Sequence, residues 1–380
     1  MRLLLVLALI ACRGKHARHD AAPHGSDPIV QVVPKLPISE DGVAELRELD
    51  RRIEIHEGRE RIGFLLQRAT LRGRVEDYQR ALAESAALVA ASPTNEAWLV
   101  RAQALSHAHE FAKAREALAH VPASLRKEPE LAIAESTGDP QALSQREELA
   151  KVLPNPTNLT LYAASLAAAG RFDEAIALVP RAAAAVRDNP PELLAWLLFQ
   201  WGRIYEQKGE LAAAREFYAA AHARVPGYVE ATAHLAQTMI ATGDAAGARA
   251  LIAAALVDNR HPSLLELAAP DEAKREWDRY VAALPLAFSD HAARFYLTRD
   301  PVQALALAGT NLANRDTREA RALFVEAALA AHDPAAACGA VQPLVESGVR
   351  AHRFQAWRAL SQCGRRADAD RLAAELGITH

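Results

Sequence analysis

Histidine and carboxylate side chains at defined spacings are the residues that would carry metal or proton-transfer chemistry in this sequence. His107 and His109 are two residues apart, so on one helix they would point to different faces. A pair four residues apart could share a metal ion, but this pair could not. His56-Glu57 lacks the second histidine that a zinc-binding helix requires. The sequence therefore predicts no metal site and no cofactor.

Short catalytic signatures are also missing from the sequence. None of the HExxH, CxxCH, GxSxG, P-loop and GxGxxG patterns occurs, which argues against the common metalloproteases, haem proteins, serine hydrolases and nucleotide-binding enzymes. We therefore expect a protein that is not an enzyme. A hydrolase without a known signature stays open as an alternative. A deep pocket with converging carboxylates or a histidine pair would favour the hydrolase, and a long open groove would favour a binding protein.

Charge is nearly balanced over the 380 residues, with 44 Lys and Arg against 47 Asp and Glu and a formal net charge of -3. Both signs are scattered along the chain, so the basic stripe typical of nucleic-acid binding is missing. Alanine is abundant and aromatic residues make up only 6%, a composition that favours closely packed helices. We expect an all-α protein that binds no nucleic acid.

The N-terminus has the pattern of a secretory signal. Arg2 precedes an apolar run of nine residues, 3–11, which is too short to span a bilayer that needs about 20 residues. The run ends in Leu9-Ile10-Ala11-Cys12, which resembles the lipobox of bacterial lipoproteins, where the cysteine is acylated and becomes the mature N-terminus. The alternative is a cytosolic protein with a misassigned start.

The lipoprotein resemblance implies a signal peptide at 1–11 and a lipid on Cys12 that attaches the chain to a membrane. Several acyl chains, at about 0.8 kcal/mol per buried methylene, would make this attachment effectively permanent. Residue 13 is Arg and not Asp, which in the sorting rule of enterobacterial lipoproteins favours the outer membrane, facing the periplasm. Residues 12–40 contain four prolines and three histidines. They are expected to form an extended flexible linker, and a metal site at these histidines is the weaker alternative.

From residue 41 the pattern is helical, and two adjacent units repeat in register 34 residues apart. The first unit contains Trp201-Gly202, Tyr205, Gly209, Ala214 and Tyr218, and the second contains Leu235-Ala236, Met239, Gly243, Ala248 and Ile252. These residues resemble the tetratricopeptide repeat (TPR), in which paired antiparallel helices pack small residues against large ones. In that arrangement the two glycines that follow the first helices supply a left-handed residue.

Weaker copies of the unit extend over most of the chain, for example around Gly170 and Gly364. The resemblance therefore implies an α-solenoid of TPR-like helix-turn-helix repeats over residues 41–380. A helix pair of this kind cannot bury its apolar face alone and needs stacked neighbours. The array should be irregular at 264–269, where a helix is cut short before Pro270.

TPR arrays bind peptides or protein surfaces in the groove formed by the first helix of each repeat, and this resemblance implies the function. The groove positions of the two clear repeats correspond to Trp196, Phe199, Gln200, Arg203, Glu206, His234 and Gln237. This mixture of aromatic and hydrogen-bonding groups is typical of binding hot spots. We expect an envelope-tethered scaffold for a protein or peptide partner. A regulatory subunit of a cell-wall enzyme or of an envelope assembly machine is the alternative.

Cys338 and Cys363 are the thiols that remain once Cys12 is acylated. In the repeat register they lie on antiparallel neighbouring helices, nearly equidistant from a turn at about 347–350, so they should face each other. A disulfide is possible if their Cα atoms come within about 7 Å, and it could persist outside the cytosol. Two buried free thiols are the equal alternative.

Overall fold

The computed structural model describes residues 32–36, 41–187 and 190–378. Cys12, the expected signal peptide and most of the expected linker lie outside these ranges. Within them the chain forms 22 α-helices and no strand. The helices are α1 Gly42–Ile55, α2 Gly58–Arg72, α3 Val75–Ala91, α4 Asn95–His107, α5 Phe111–Leu118, α6 Ala123–Thr137, α7 Ala142–Val152, α8 Pro156–Ala168, α9 Phe172–Ala185, α10 Pro191–Lys208, α11 Leu211–Arg224, α12 Val229–Ala241, α13 Ala245–Asp258, α14 Pro262–Leu265, α15 Pro270–Ala283, α16 Pro285–Tyr296, α17 Pro301–Asn314, α18 Arg318–Ala330, α19 Pro334–Ala340, α20 Gln342–Val345, α21 Arg350–Gln362 and α22 Arg366–Leu376.

The helices form an α-solenoid of TPR-like helix-turn-helix units, as the sequence predicts. α10 packs on α11, and α12 packs on α13, and each unit packs on the next. Gly209 and Gly243 follow the first helix of their units at φ 95°, the left-handed conformation that glycine adopts without strain. The predicted interruption at 264–269 is also present, because α14 has only four residues.

Gly202 controls how closely the two helices of the clearest repeat approach. A Cβ atom at this position would lie 2.7 Å from Cε1 of Tyr218 on α11. Beside it, Trp201 is completely buried in the largest apolar cluster, and its Nε1 donates to Thr160 Oγ1 at 2.9 Å. The small residue thus makes room for the large ones, which is the packing that the repeat pattern implies.

Contacts between residues about 180 positions apart show how the solenoid winds. Asn259 Nδ2 donates to the carbonyl of Arg72, 187 positions earlier, at 2.8 Å. Arg315 Nε donates to the carbonyl of Ser136, 179 positions earlier, at 3.2 Å. Solenoid repeats normally contact only their sequence neighbours. These bonds therefore join one superhelical turn to the next, and we call this line of contacts the seam.

Glycines let the seam close tightly. The backbones of Gly170 and Gly348 approach so closely that a Cβ on either glycine would overlap the other. Gly138 meets the carbonyl of Asp316 in the same way. These pairs are 178 positions apart, close to the separations of 179 and 187 positions in the hydrogen bonds of the seam. The stacking of the second turn on the first is therefore a backbone-level feature of the fold.

Both ends of the chain carry additional contacts. Val32, Val33 and Leu36, within the expected linker, pack against the largest apolar cluster. Near the C-terminus, Cys338 of α19 and Cys363 at the end of α21 form a disulfide with a Cα–Cα distance of 5.7 Å. This bond joins α19 to the end of α21. In the described part of the chain, the helices are too short or too polar to cross a membrane.

The packing at Gly202 predicts opposite effects for two Gly→Ala substitutions. Gly202→Ala should destabilise the protein by about 1 to 3 kcal/mol, because the added methyl group overpacks the contact with Tyr218. Gly63→Ala, in the interior of α2 with no atom within 4 Å of the new Cβ, should stabilise it by up to about 1 kcal/mol. Thermal denaturation of both variants beside the wild type measures the difference. Equal melting temperatures for the two variants would contradict this account.

Candidate functional site

An interior cavity lies between the two superhelical turns. Its first chamber has a volume of about 420 Å³ and its second chamber about 870 Å³. The chambers share five lining residues: Gln237, Glu266, Arg294, Arg315 and Glu319. These five residues lie where the two chambers meet, and we call this part of the cavity the neck. The cavity is lined by both turns, from Thr70 and His107 in the first to Trp277 and Phe288 in the second.

The predicted groove residues converge on the first chamber, with one exception. Six of the seven line it: Trp196, Phe199, Gln200, Arg203, His234 and Gln237. Glu206 lies behind the wall, where its Oε2 accepts from the Tyr218 hydroxyl at 2.5 Å and from His234 Nδ1 at 3.0 Å. The groove of these repeats therefore faces the interior of the superhelix, and the second turn covers it. It forms a partly covered cavity and not the long open groove expected of a simple array.

Phe199 is packed into the wall of the cavity and exposes little of its ring to a ligand. It is only 5% exposed, and its ring packs edge-on against Tyr228 and His234 at centroid distances of 5.2 and 5.3 Å. Arg203 is different, because its side chain is 34% exposed to the cavity. The residues available to a ligand are therefore the polar ones and Trp196, while Phe199 holds the wall in place.

Three arginines and two carboxylates form a charge network at one side of the cavity. Glu319 lies 4.0 Å from Arg203 and 3.4 Å from Arg294. Asp290 lies 3.6 Å from Arg294 and 3.7 Å from Arg315. Burial acts to raise the pKa of Asp290, but His291 and these arginines outweigh burial and hold the pKa below its ordinary value. Asp290 is thus ionised, and arginines lie beside both carboxylates.

Glu266 at the neck behaves differently. One of its oxygens accepts from Trp277 Nε1 at 2.7 Å, and burial raises its pKa to about 7. The carboxyl group is therefore partly protonated near neutral pH. Close by, Oε1 of Gln237 is buried without a hydrogen-bond partner in the described part of the chain. The neck offers two acceptor groups for which a ligand could supply donors.

The histidines correct one expectation from the sequence. His107 is the last residue of α4, but His109 lies beyond the helix with φ 56°, so the two do not sit on opposite faces of one helix. Both line the cavity, and His109 Nδ1 donates to the carbonyl of Leu286 at 3.2 Å across the seam. Burial lowers the pKa of both imidazoles, that of His109 to about 4, so they are neutral at pH 7.

The cavity residues of the second turn could not be identified from the sequence. His261 and Trp277 belong to irregular repeats after α13, and Asp290 and Arg315 come from units with only a faint repeat pattern. They face α10 and α12 only because the solenoid winds back on itself. A charge or aromatic pattern within one repeat carries no signal for that approach.

Metal and hydrolytic chemistry can be tested against the side-chain positions. No group of three His, Cys, Asp or Glu side chains within the described ranges is arranged to hold a metal ion. Ser347 Oγ lies 3.0 Å from His352 Nδ1, but this serine is 2% exposed and also accepts from the Val349 amide. Ser347 does not line the cavity, although His352 does. This pair stabilises a turn and does not present a nucleophile.

Part of the chain that builds the cavity wall matches a known repeat family. The tetratricopeptide repeat family model matches residues 206–270, from the end of α10 to the start of α15. No curated protein matches the chain. The family match includes α12, which carries His234 and Gln237.

Two solved structures are similar to the chain over most of its length. One is the APC/C hetero-tetramer Cut9-Hcn1, with 13% sequence identity, a TM-score of 0.48 and coverage of 88% of this chain and 71% of that chain. The other is Naa15/Naa10 bound to HypK-THB, with 12% identity, a TM-score of 0.31 and coverage of 89% and 68%.

The position of Phe199 predicts that it stabilises the wall. Phe199→Ala should lower the free energy of unfolding by about 3 to 5 kcal/mol, because it leaves a hole beside Tyr228 and His234. Gln200→Ala, the next residue on the same helix and only partly buried, should cost less than about 1 kcal/mol. Urea denaturation followed by circular dichroism measures both. A Phe199 variant as stable as the Gln200 variant would place Phe199 outside the packed wall.

Proposed function

We propose that this chain is an envelope-tethered scaffold that holds a segment of a protein partner in its interior cavity. The observation that carries the proposal is the convergence of groove residues from two successive repeats, on α10 and α12, upon one cavity. Trp196 supplies an aromatic surface, and Gln200, Arg203 and Gln237 supply hydrogen-bonding groups. Aromatic and arginine side chains in a desolvated pocket are the usual source of binding energy between proteins.

The shape of the cavity determines the kind of partner surface that fits. Chambers of about 420 and 870 Å³ have the size of small-ligand pockets and cannot admit a folded domain. A chain end or an extended segment of a few residues can enter them. We therefore propose that the partner contributes such a segment, which the two turns enclose.

The envelope location is part of the same proposal. It is supported by the apolar run 3–11 followed by Cys12 in a lipobox pattern, and by Arg13 after the cysteine. The lipid on Cys12 would attach the chain to the outer membrane on its periplasmic side. The folded body would then meet partners in the periplasm, including enzymes or assembly proteins that it could regulate.

Capture of a partner from its own membranes tests the scaffold function. Crosslinking followed by purification of the tagged wild-type chain should recover a partner protein. Gln200→Ala combined with Arg203→Ala should reduce recovery at least several-fold, because both side chains reach into the cavity and are not fully buried. Equal melting temperatures of the variant and the wild type would show that the loss is not due to unfolding.

A variant of the outer surface provides the control for capture. Glu216→Gln changes an exposed residue of α11 that does not line the cavity. It should leave recovery unchanged. If the partner is captured equally by the cavity variant and lost with the Glu216 variant, the binding surface is on the outside of the solenoid and the proposal fails.

A substitution at Cys12 tests the lipid anchor. Cys12→Ser removes the thiol that would be acylated, so the protein should move from the membrane fraction to the soluble fraction, and mass spectrometry should detect no acyl group. Membrane recovery of the variant equal to that of the wild type, with no lipid on either protein, would overturn the lipoprotein assignment. The scaffold proposal would then stand or fall on the capture experiment alone.

A further inference from the structure

The charges of the first chamber are not distributed evenly. Four carboxylates line it: Glu230, Glu266, Asp290 and Glu319. Asp290 and Glu319 each lie within 4.0 Å of two arginines. Glu266 is bonded to Trp277 and takes up a proton near neutral pH. The only ion-pair contact of Glu230 among the described residues is His234, whose Nε2 lies 3.8 Å away. Among the described residues, one carboxylate of the cavity therefore has no arginine or lysine within ion-pair distance.

Glu230 carries its charge inside the cavity. Burial acts to raise its pKa, but its surroundings, with His291 as the largest opposing influence, keep the pKa below its ordinary value, so the carboxyl is ionised at neutral pH. Burial lowers the pKa of His234, whose imidazole is neutral at pH 7. A charged carboxylate that faces a neutral imidazole in an interior cavity is stabilised when a cation approaches it.

The hydrogen bond of His234 determines which of its ring nitrogens carries the proton. Its Nδ1 lies 3.0 Å from Oε2 of Glu206, an oxygen that also accepts from the Tyr218 hydroxyl. Nδ1 must therefore carry the proton and donate to Glu206. In the neutral ring Nε2 then has a lone pair, and it faces Glu230. Two acceptors 3.8 Å apart form a site for a group that donates several hydrogen bonds.

Two tyrosines line the same chamber as Glu230. Burial first, and then the charge of Glu230, raise the pKa of the Tyr228 hydroxyl. The charge of Glu230 also acts to raise the pKa of Tyr78, for which burial is the main cause. The faces of aromatic rings attract ammonium and guanidinium groups.

We propose that Glu230 and Nε2 of His234 bind the ammonium or guanidinium group of a lysine or arginine side chain that a partner inserts into the cavity. This inference rests on the proposed scaffold function and names the chemistry that the first chamber recognises. Gln237, one more turn along the same face of α12, has its buried Oε1 free to accept from the segment that carries the basic residue.

Three capped tripeptides test this preference directly. Acetyl-Gly-Lys-Gly-amide, its norleucine analogue and its glutamate analogue are titrated into the full-length chain, and tryptophan fluorescence reports binding because Trp196 and Trp277 line the cavity. The lysine peptide should bind at least about tenfold more tightly than the norleucine peptide, which corresponds to roughly 1.4 kcal/mol. Equal affinities would overturn the proposal. Tightest binding of the glutamate peptide would also overturn it and would assign the ligand to the arginine network.

Two matched variants locate the effect. Glu230→Gln keeps the shape of the side chain and removes its charge, and should abolish the preference for lysine over norleucine. Glu216→Gln makes the same chemical change on the outer surface and should leave the preference intact. A lysine preference that survives in Glu230→Gln would falsify the assignment to Glu230. If this variant does not fold, the comparison of the three peptides on the wild type still decides whether the cavity selects a cation.

The peptide-binding experiment can fail or succeed independently of the capture experiment that tests the scaffold proposal. If the partner is captured and lost with the Gln200 and Arg203 variant, but no lysine preference is found, the scaffold function holds and this inference fails. If lysine is preferred and no protein is captured, the site recognises cations but the scaffold proposal fails. In the case where both hold, Glu230→Gln should also reduce capture of the partner at least several-fold.

Discussion

The stacking of one superhelical turn on the next is the constraint on which the rest of the structure depends. It is fixed by contacts between residues about 180 positions apart, such as the bond from Asn259 to Arg72 and the close backbone approach of Gly170 to Gly348. A single turn of repeats would present its groove to solvent. With the second turn in place, the same groove becomes an interior cavity. Burial there lowers the pKa values of His109 and His261 and raises that of Glu266.

Two groups of polar residues in the cavity have different roles. Arg203, Arg294 and Arg315 lie beside the carboxylates of Asp290 and Glu319. On α12, acceptors at 230, 234 and 237 lie on one face because three to four residues complete a helical turn. A bound segment would therefore meet arginines paired with carboxylates and a separate set of acceptors. Such asymmetry orients a ligand, and orientation gives a binding site its specificity.

The partly covered cavity also changes how the alternatives for function are weighed. A deep pocket with carboxylates and histidines was the feature that would favour a hydrolase. Here Asp290 is held by arginine, His234 is bonded to Glu206, and the serine–histidine pair at 347 and 352 stabilises a turn. These groups have structural partners, whereas a nucleophile must be free to reach a substrate. The arrangement favours recognition of a segment over its cleavage.

The sequence by itself determined the local architecture of this protein. Gly202, Gly209 and their counterparts 34 residues later predict paired helices, because small residues permit close packing and glycine accepts a left-handed conformation. The same register identified six residues that line the cavity, among them Arg203 and Gln237.

Only the tertiary structure decided that this surface faces a second superhelical turn. That decision depends on the small rotation from each repeat to the next, which accumulates over the array until residues 180 positions apart meet. The sequence of one repeat does not determine this accumulated rotation. We therefore could not predict the burial of Phe199, the partners of Glu206 or the approach of His109 to the cavity. The absence of an arginine or lysine within ion-pair distance of Glu230, among the described residues, has the same origin, since its surroundings come from both turns. Short-range patterns specify the helix pairs, and long-range winding specifies the site.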